Sequence, residues 1–156
     1  MNKIFCPECN EKTTYHIINQ IINEYKEYKV DVIQHIAVCD KCSEKIYVSE
    51  LENENLKRLY EKYRNIAGII SQKEIINFRE KYSISQRELV AILDWGKMTI
   101  NRYERGSLPN QIHSNTLELI IRDERYFKEK IEEAYKNNRI NEKTHLKLQN
   151  YLSSKI

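Results

Sequence analysis

The stretch "SISQRELVAILDWGKMTINRYERGS", residues 83–107, holds two short helix-forming segments split by Asp94-Trp95-Gly96. Ser85 stands before an apolar stripe of Leu89, Ile92 and Leu93, and Glu88 follows it by three residues. In that pattern the serine hydroxyl caps a free helical N–H and the glutamate reaches back to the serine's own N–H. In the next segment, Lys97 to Arg105, Ile100 and Tyr103 lie roughly one turn apart. At about 100° per residue, Lys97, Met98, Asn101, Arg102 and Arg105 fall on the opposite face. That chemistry suits nucleic acid, because Arg pairs with guanine through two hydrogen bonds, Asn with adenine, and Lys with phosphate. The spacing predicts a helix-turn-helix whose second helix reads DNA. A plain helical hairpin with a solvated basic face is the alternative.

Helical pattern continues on both sides. "SQKEIINFREKY" repeats the capping box with Ser71 and Glu74, and a further helix is predicted near Ser114, carrying Leu117, Ile120 and Ile121. Residues 122–156 read as a charged helical tail with a break at Asn137-Asn138 and a restart at Asn141. Its apolar positions, Tyr126, Phe127, Ile131 and Tyr135, then Leu146, Leu148 and Leu152, suit either a dimer contact or packing over the helix-turn-helix. Upstream, "SELE" offers a capping box from Ser49 to Glu52. Leu51, Leu56, Leu59, Tyr60 and Tyr63 then predict an amphipathic helix that ends near Ala67-Gly68.

The first 48 residues are different. "YHIINQI" and "YKVDVIQHIAV" are β-branched runs with partial alternation, and "NEYKEYK" between them reads as a hairpin connection. Around them sit all four cysteines, as Cys6-x-x-Cys9 and Cys39-x-x-Cys42. Two residues between cysteines let both thiolates of a knuckle face one point, and two such knuckles make the S₄ set of structural zinc. All four ligands are protein, so no coordination position is left for catalysis. A segment this small needs such a staple.

The totals fit this division. Hydrophobic residues at 40% and charged residues at 31% describe a folding, soluble composition. No run approaches the about 18 apolar residues of a membrane span, and "MNKIFCPECN" lacks the apolar centre of a signal peptide, so the expected location is cytoplasmic. A net charge of +3 is mild, so its placement matters more than its size. His16, His35, His113 and His145 are scattered without a partnering nucleophile or carboxylate, and no Gly-rich phosphate loop appears. These features argue against an enzyme.

Residues 83–107 resemble the XRE/Cro-type helix-turn-helix family through Ser85-Gln86, Glu88, Leu89, Leu93, Ile100, Arg102, Tyr103, Glu104 and Gly106. The resemblance implies that Gln86 contacts DNA and that Glu104 pairs with Arg79 as a structural link. Two positions depart from the family pattern. Val90 stands where Ala is common, and Asp94 replaces the turn glycine. With the CxxC…CxxC segment in front, residues 1–121 resemble the MqsA-type antitoxins. That resemblance implies an N-terminal zinc domain that contacts a toxin, and a C-terminal helix-turn-helix that dimerises on an operator palindrome.

The expectation is an α+β chain in four parts: a β-rich zinc module at 1–48, a linker helix at 49–68, an XRE-type DNA-binding domain at 69–121 and a helical tail at 122–156. One structural zinc is held by Cys6, Cys9, Cys39 and Cys42. Gln86, Lys97, Met98, Asn101, Arg102 and Arg105 are the expected DNA contacts. The expected function is a homodimeric repressor of operator DNA whose zinc module binds a toxin. A stand-alone phage or mobile-element regulator, and a protein-binding inhibitor without DNA readout, are the alternatives.

Overall fold

The structure is a computed structural model and describes residues 2–153. It is α+β, with short antiparallel sheets followed by helices, and it divides after Gly68 into two compact units.

In the first unit, β1 (Ile4–Cys6) pairs with β2 (Glu11–Thr13) around the first cysteine knuckle. A long ribbon follows, β3 (Tyr15–Tyr25) against β4 (Tyr28–Cys39), and β5 (Lys45–Ile46) adds to β4. The expected connection "NEYKEYK" is mostly strand. Only Lys26 and Glu27 form the turn, both with positive φ (47° and 72°), the geometry of a two-residue turn whose twist matches its strands. The ribbon carries a bulge where pairing shifts between Ile22 and Glu24.

Helix α1 (Ser49–Ala67) runs beside β4. Its capping residue is Val48, with no side-chain cap, so the expected Ser49–Glu52 box does not form. Val48 and Leu51 pack against the cluster of Cys6, Ala37, Cys39 and Ile46, and that burial starts the helix one residue before the serine's pattern would. Leu59 packs on Val30 and Val32, whereas Leu56 is exposed. The helix ends at Gly68, left-handed at φ 68° and ψ 36°.

The second unit is helical: α2 (Gln72–Lys81), α3 (Gln86–Leu93), α4 (Thr99–Glu104), α5 (Gln111–Arg122), α6 (Glu124–Lys136) and α7 (Glu142–Ser153). Ser71 and Ser85 each form a complete capping box, with Glu74 and Glu88. Helix α5 starts earlier than expected, capped by Asn110, and Ser114 is instead buried, accepting the Ile70 N–H at 2.8 Å. The break between α6 and α7 falls at Asn138, with φ 60°.

Of the apolar α6 and α7 positions, Tyr135 and Leu146 stay exposed. Phe127, Ile131, Leu148 and Leu152 enter one core with Phe78, Leu89, Ile92, Ile100 and Leu117. Polar anchors reinforce the packing. Arg139 donates to the Ala91 carbonyl at 2.8 Å, Thr144 to Glu88 at 2.9 Å, and Lys147 to the Ser83 carbonyl at 2.8 Å. Residues between Phe127 and Leu152 therefore complete the core beneath α3 and α4.

Candidate functional site

The cysteines converge because β1 and β2 carry one knuckle and the end of β4 carries the other. Their four sulfurs all lie within 4.8 Å of one another, with Cys6 and Cys39 buried and Cys9 and Cys42 half-buried. Cys6 and Cys42 are 3.6 Å apart at sulfur, and Cys9 and Cys39 are 3.9 Å. A tetrahedron with metal–sulfur bonds of about 2.3 Å has edges of about 3.8 Å, whereas a disulfide needs about 2.05 Å. The donor set therefore fits a soft tetrahedral ion, and the four cysteines are placed to hold one.

The protein around the sulfurs is graded. Thr13 Oγ1 lies 3.2 Å from Cys39 Sγ, and the Lys41 N–H donates to the same sulfur at 3.4 Å. The Thr13 hydroxyl pulls the Cys39 thiol down to about 6. Burial and the neighbouring thiols push Cys9 up to about 12. Thr13 was not singled out from the sequence, since nothing local marks a hydroxyl that meets a sulfur 26 residues away. His35 is turned elsewhere, with Nδ1 2.6 Å from Asn19 Oδ1.

In the second unit, α3 ends at Asp94, left-handed at φ 59° and ψ 44°. The aspartate thus occupies the turn conformation that glycine usually fills. Helix α4 starts only at Thr99, so Lys97 and Met98 lie in the turn before it, not within a helix from 97 to 105. Lys97, Met98, Arg102 and Arg105 are exposed, and Gln86 and Asn101 are half-buried.

Hydrogen bonds link the half-buried pair to Glu104 and, through it, to Arg79 of α2. Asn101 Nδ2 donates to Gln86 Oε1 at 3.2 Å, and Gln86 Nε2 donates to Glu104 Oε1 at 3.1 Å. Arg79 grips Glu104 through two bonds, Nε to Oε2 at 2.9 Å and Nη2 to Oε1 at 2.8 Å, and this pairing raises its already high pKa. Gln72 donates to the Glu104 carbonyl at 3.1 Å, a positioning contact the sequence did not reveal. The chain of bonds fixes which end of the Gln86 amide faces inward.

Behind α4, Trp95 stacks on His113 with ring centroids 3.8 Å apart, and Tyr103 Oη lies 2.6 Å from His113 Nδ1. Burial lowers the pKa of His113, which keeps it a neutral packing element. His145 is likewise structural, stacked on Tyr135 and 2.8 Å from Glu132. No helix among the described residues is long and apolar enough to cross a membrane.

Residues 4–129 match the family described as the antitoxin component of bacterial toxin-antitoxin system, MqsA, so the chain belongs to that family of antitoxins. No curated protein matches the chain.

Proposed function

We propose that this member of the MqsA antitoxin family is a cytoplasmic, non-enzymatic repressor that occupies operator DNA as a homodimer, while its first unit holds a toxin protein. Residues 69–121 form the DNA-binding domain, with 122–153 as its packing support. Residues 1–48 form the zinc module, carried with helix 49–68. Cys6, Cys9, Cys39 and Cys42 hold one structural zinc, whose charge and tetrahedral preference suit four thiolates.

One observation carries the DNA reading. The Asn101–Gln86–Glu104–Arg79 chain of hydrogen bonds holds two half-buried amides in fixed orientation beside the exposed Lys97, Met98, Arg102 and Arg105. A solvated hairpin face has no need of that arrangement. Arg102 and Asn101 are assigned to base edges, and Lys97, Gln86 and Arg105 to backbone positioning.

The test is operator affinity across a salt series. Arg102→Ala is expected to cost about 1–3 kcal/mol on the specific site and relax discrimination there, while Lys97→Ala weakens all sequences and reduces the salt slope by about one. Unchanged specific affinity in Arg102→Ala would remove α4 from the groove. Co-purification with a small protein, and one zinc per chain by elemental analysis, tests the other half of the reading.

A further inference from the structure

Thr13 carries a hydroxyl from one half of the cysteine cluster to a sulfur of the other. In the β1–β2 hairpin, Cys6 pairs with Glu11 and Ile4 with Thr13, so Cys6 and Thr13 share one face. Thr13 is 7% exposed, and its Oγ1 lies 3.2 Å from Cys39 Sγ on the second knuckle. The next residue holds the same knuckle through its backbone, with the Thr14 carbonyl accepting the Asp40 N–H at 3.1 Å. The Lys41 N–H that also reaches Cys39 Sγ, at 3.4 Å, belongs to the second knuckle's own turn. Thr13 is the donor that comes from outside that turn.

A buried hydroxyl costs free energy unless it is hydrogen-bonded, and valine would fill the same place on a strand without that cost. The partner here is a sulfur. A thiol sulfur accepts weakly, whereas a thiolate accepts as a charged group. A thiolate bound to a metal carries no proton, so at an occupied site the Thr13 O–H donates and Cys39 Sγ accepts. That bond draws charge from the sulfur. It also ties the hairpin of Cys6 to the knuckle of Cys39 and Cys42, and the ion leaves only when the knuckles part.

We propose that Thr13 is a positioning residue for the tetrahedral ion: its hydroxyl holds Cys39 against the first knuckle and slows release of the metal. The inference rests on the reading of the four cysteines as a zinc site. Hydrogen-bond partners of metal ligands at other sites change affinity by about 10–100-fold when removed.

Transfer of zinc from the loaded chain to an excess of a chromophoric chelator measures release. Thr13→Val keeps the branched volume and removes the hydroxyl, and Thr13→Ser keeps the hydroxyl and removes the methyl. Thr13→Val is expected to release zinc about 10–100-fold faster, and Thr13→Ser at close to the wild-type rate. With cobalt(II) in place of zinc, the sulfur-to-cobalt charge-transfer band should move to longer wavelength in Thr13→Val and stay in place in Thr13→Ser. A sulfur without its donor gives up an electron more readily, and a loss of packing alone would not move the band. Wild-type release with an unmoved band in Thr13→Val would overturn the inference and leave the zinc reading intact. A wild-type chain that takes up no zinc would overturn the zinc reading and this inference with it. If Thr13→Val takes up neither metal, Thr13→Ser decides: the wild-type rate and band support the hydroxyl, and release faster by about tenfold or more overturns it.

Discussion

In the first unit the clustered buried apolar residues form two small groups, Ala37 and Ile46 around Cys6 and Cys39, and Val30 and Val32 against Leu59 of α1. The second unit buries a single cluster that runs from Ile70 to Leu152 and draws on all six of its helices. The first therefore depends on sulfur and backbone pairing for its shape, and the second on apolar area. A small β unit that presents long exposed strands has little surface left to hide, so a metal at the four cysteines would supply the cohesion that a core supplies elsewhere.

The contrast breaks most sharply when the metal is removed. Chelation, or Cys39→Ser, is expected to unfold residues 2–48, since ion binding at such sites is worth about 10–16 kcal/mol and is coupled to folding. The second unit should keep its own transition. Amide spectra recorded during chelator titration check this, and simultaneous loss of both sets of signals would show that the units do not fold separately.

The converse perturbation is Phe127→Ala. This ring is fully buried and meets Phe78 and Tyr82 edge-on at 5.0 and 4.9 Å. The expected loss is about 3–5 kcal/mol in urea unfolding of the second unit, with metal affinity unchanged.

Two serines sharpen the comparison at smaller scale. Ser85→Ala removes a formed cap and should cost about 1 kcal/mol. Ser49→Ala, at a helix whose cap is Val48, should stay within about 0.5 kcal/mol. Equal effects in parallel denaturation curves would contradict the difference in capping.

The smallest expected effect is in acid. Burial raises the pKa of Glu88, but the Ser85 N–H, the Thr144 hydroxyl and Lys147 outweigh it and hold the carboxylate below its ordinary 4.5. A depressed folded pKa means a contribution present above 4.5 and lost as pH falls through the lower folded value. Glu88→Gln should flatten the acid limb of the second unit's stability profile. The first unit's response in the same titration should follow proton competition for its thiolates.

Local chemistry was legible in the sequence, and long-range packing was not. The Ser71 and Ser85 boxes needed only four consecutive residues, and the cysteine knuckles only their spacing. Ser49 offered the same letters, but burial of Val48 and Leu51 moved the helix start. The ribbon was read too short because Lys26-Glu27 lacks the Asn-Gly signature of the turn it forms. The periodicity of α6 and α7 was visible, yet no pattern within them says that Phe127 meets Phe78 or that Leu148 enters the core beside Leu89. Gln72 and Thr13 act on residues that lie next to them only in the folded chain.

The left-handed turns have a consequence for how this protein can change. Asn10, Lys26, Glu27, Asp31, Ser43, Ser83, Asp94 and Asn138 all adopt positive φ without being glycine. For side chains other than Asn and Asp this conformation costs about 1–2 kcal/mol, of which glycine would return part after its own entropic loss of about 0.5–1. Lys26, Glu27 and Ser83 are thus positions from which stability can still be recovered without altering a cysteine knuckle. A destabilising substitution elsewhere in the same unit could be offset by a change to glycine at one of these distant turns. That gives the molecule headroom for sequence change.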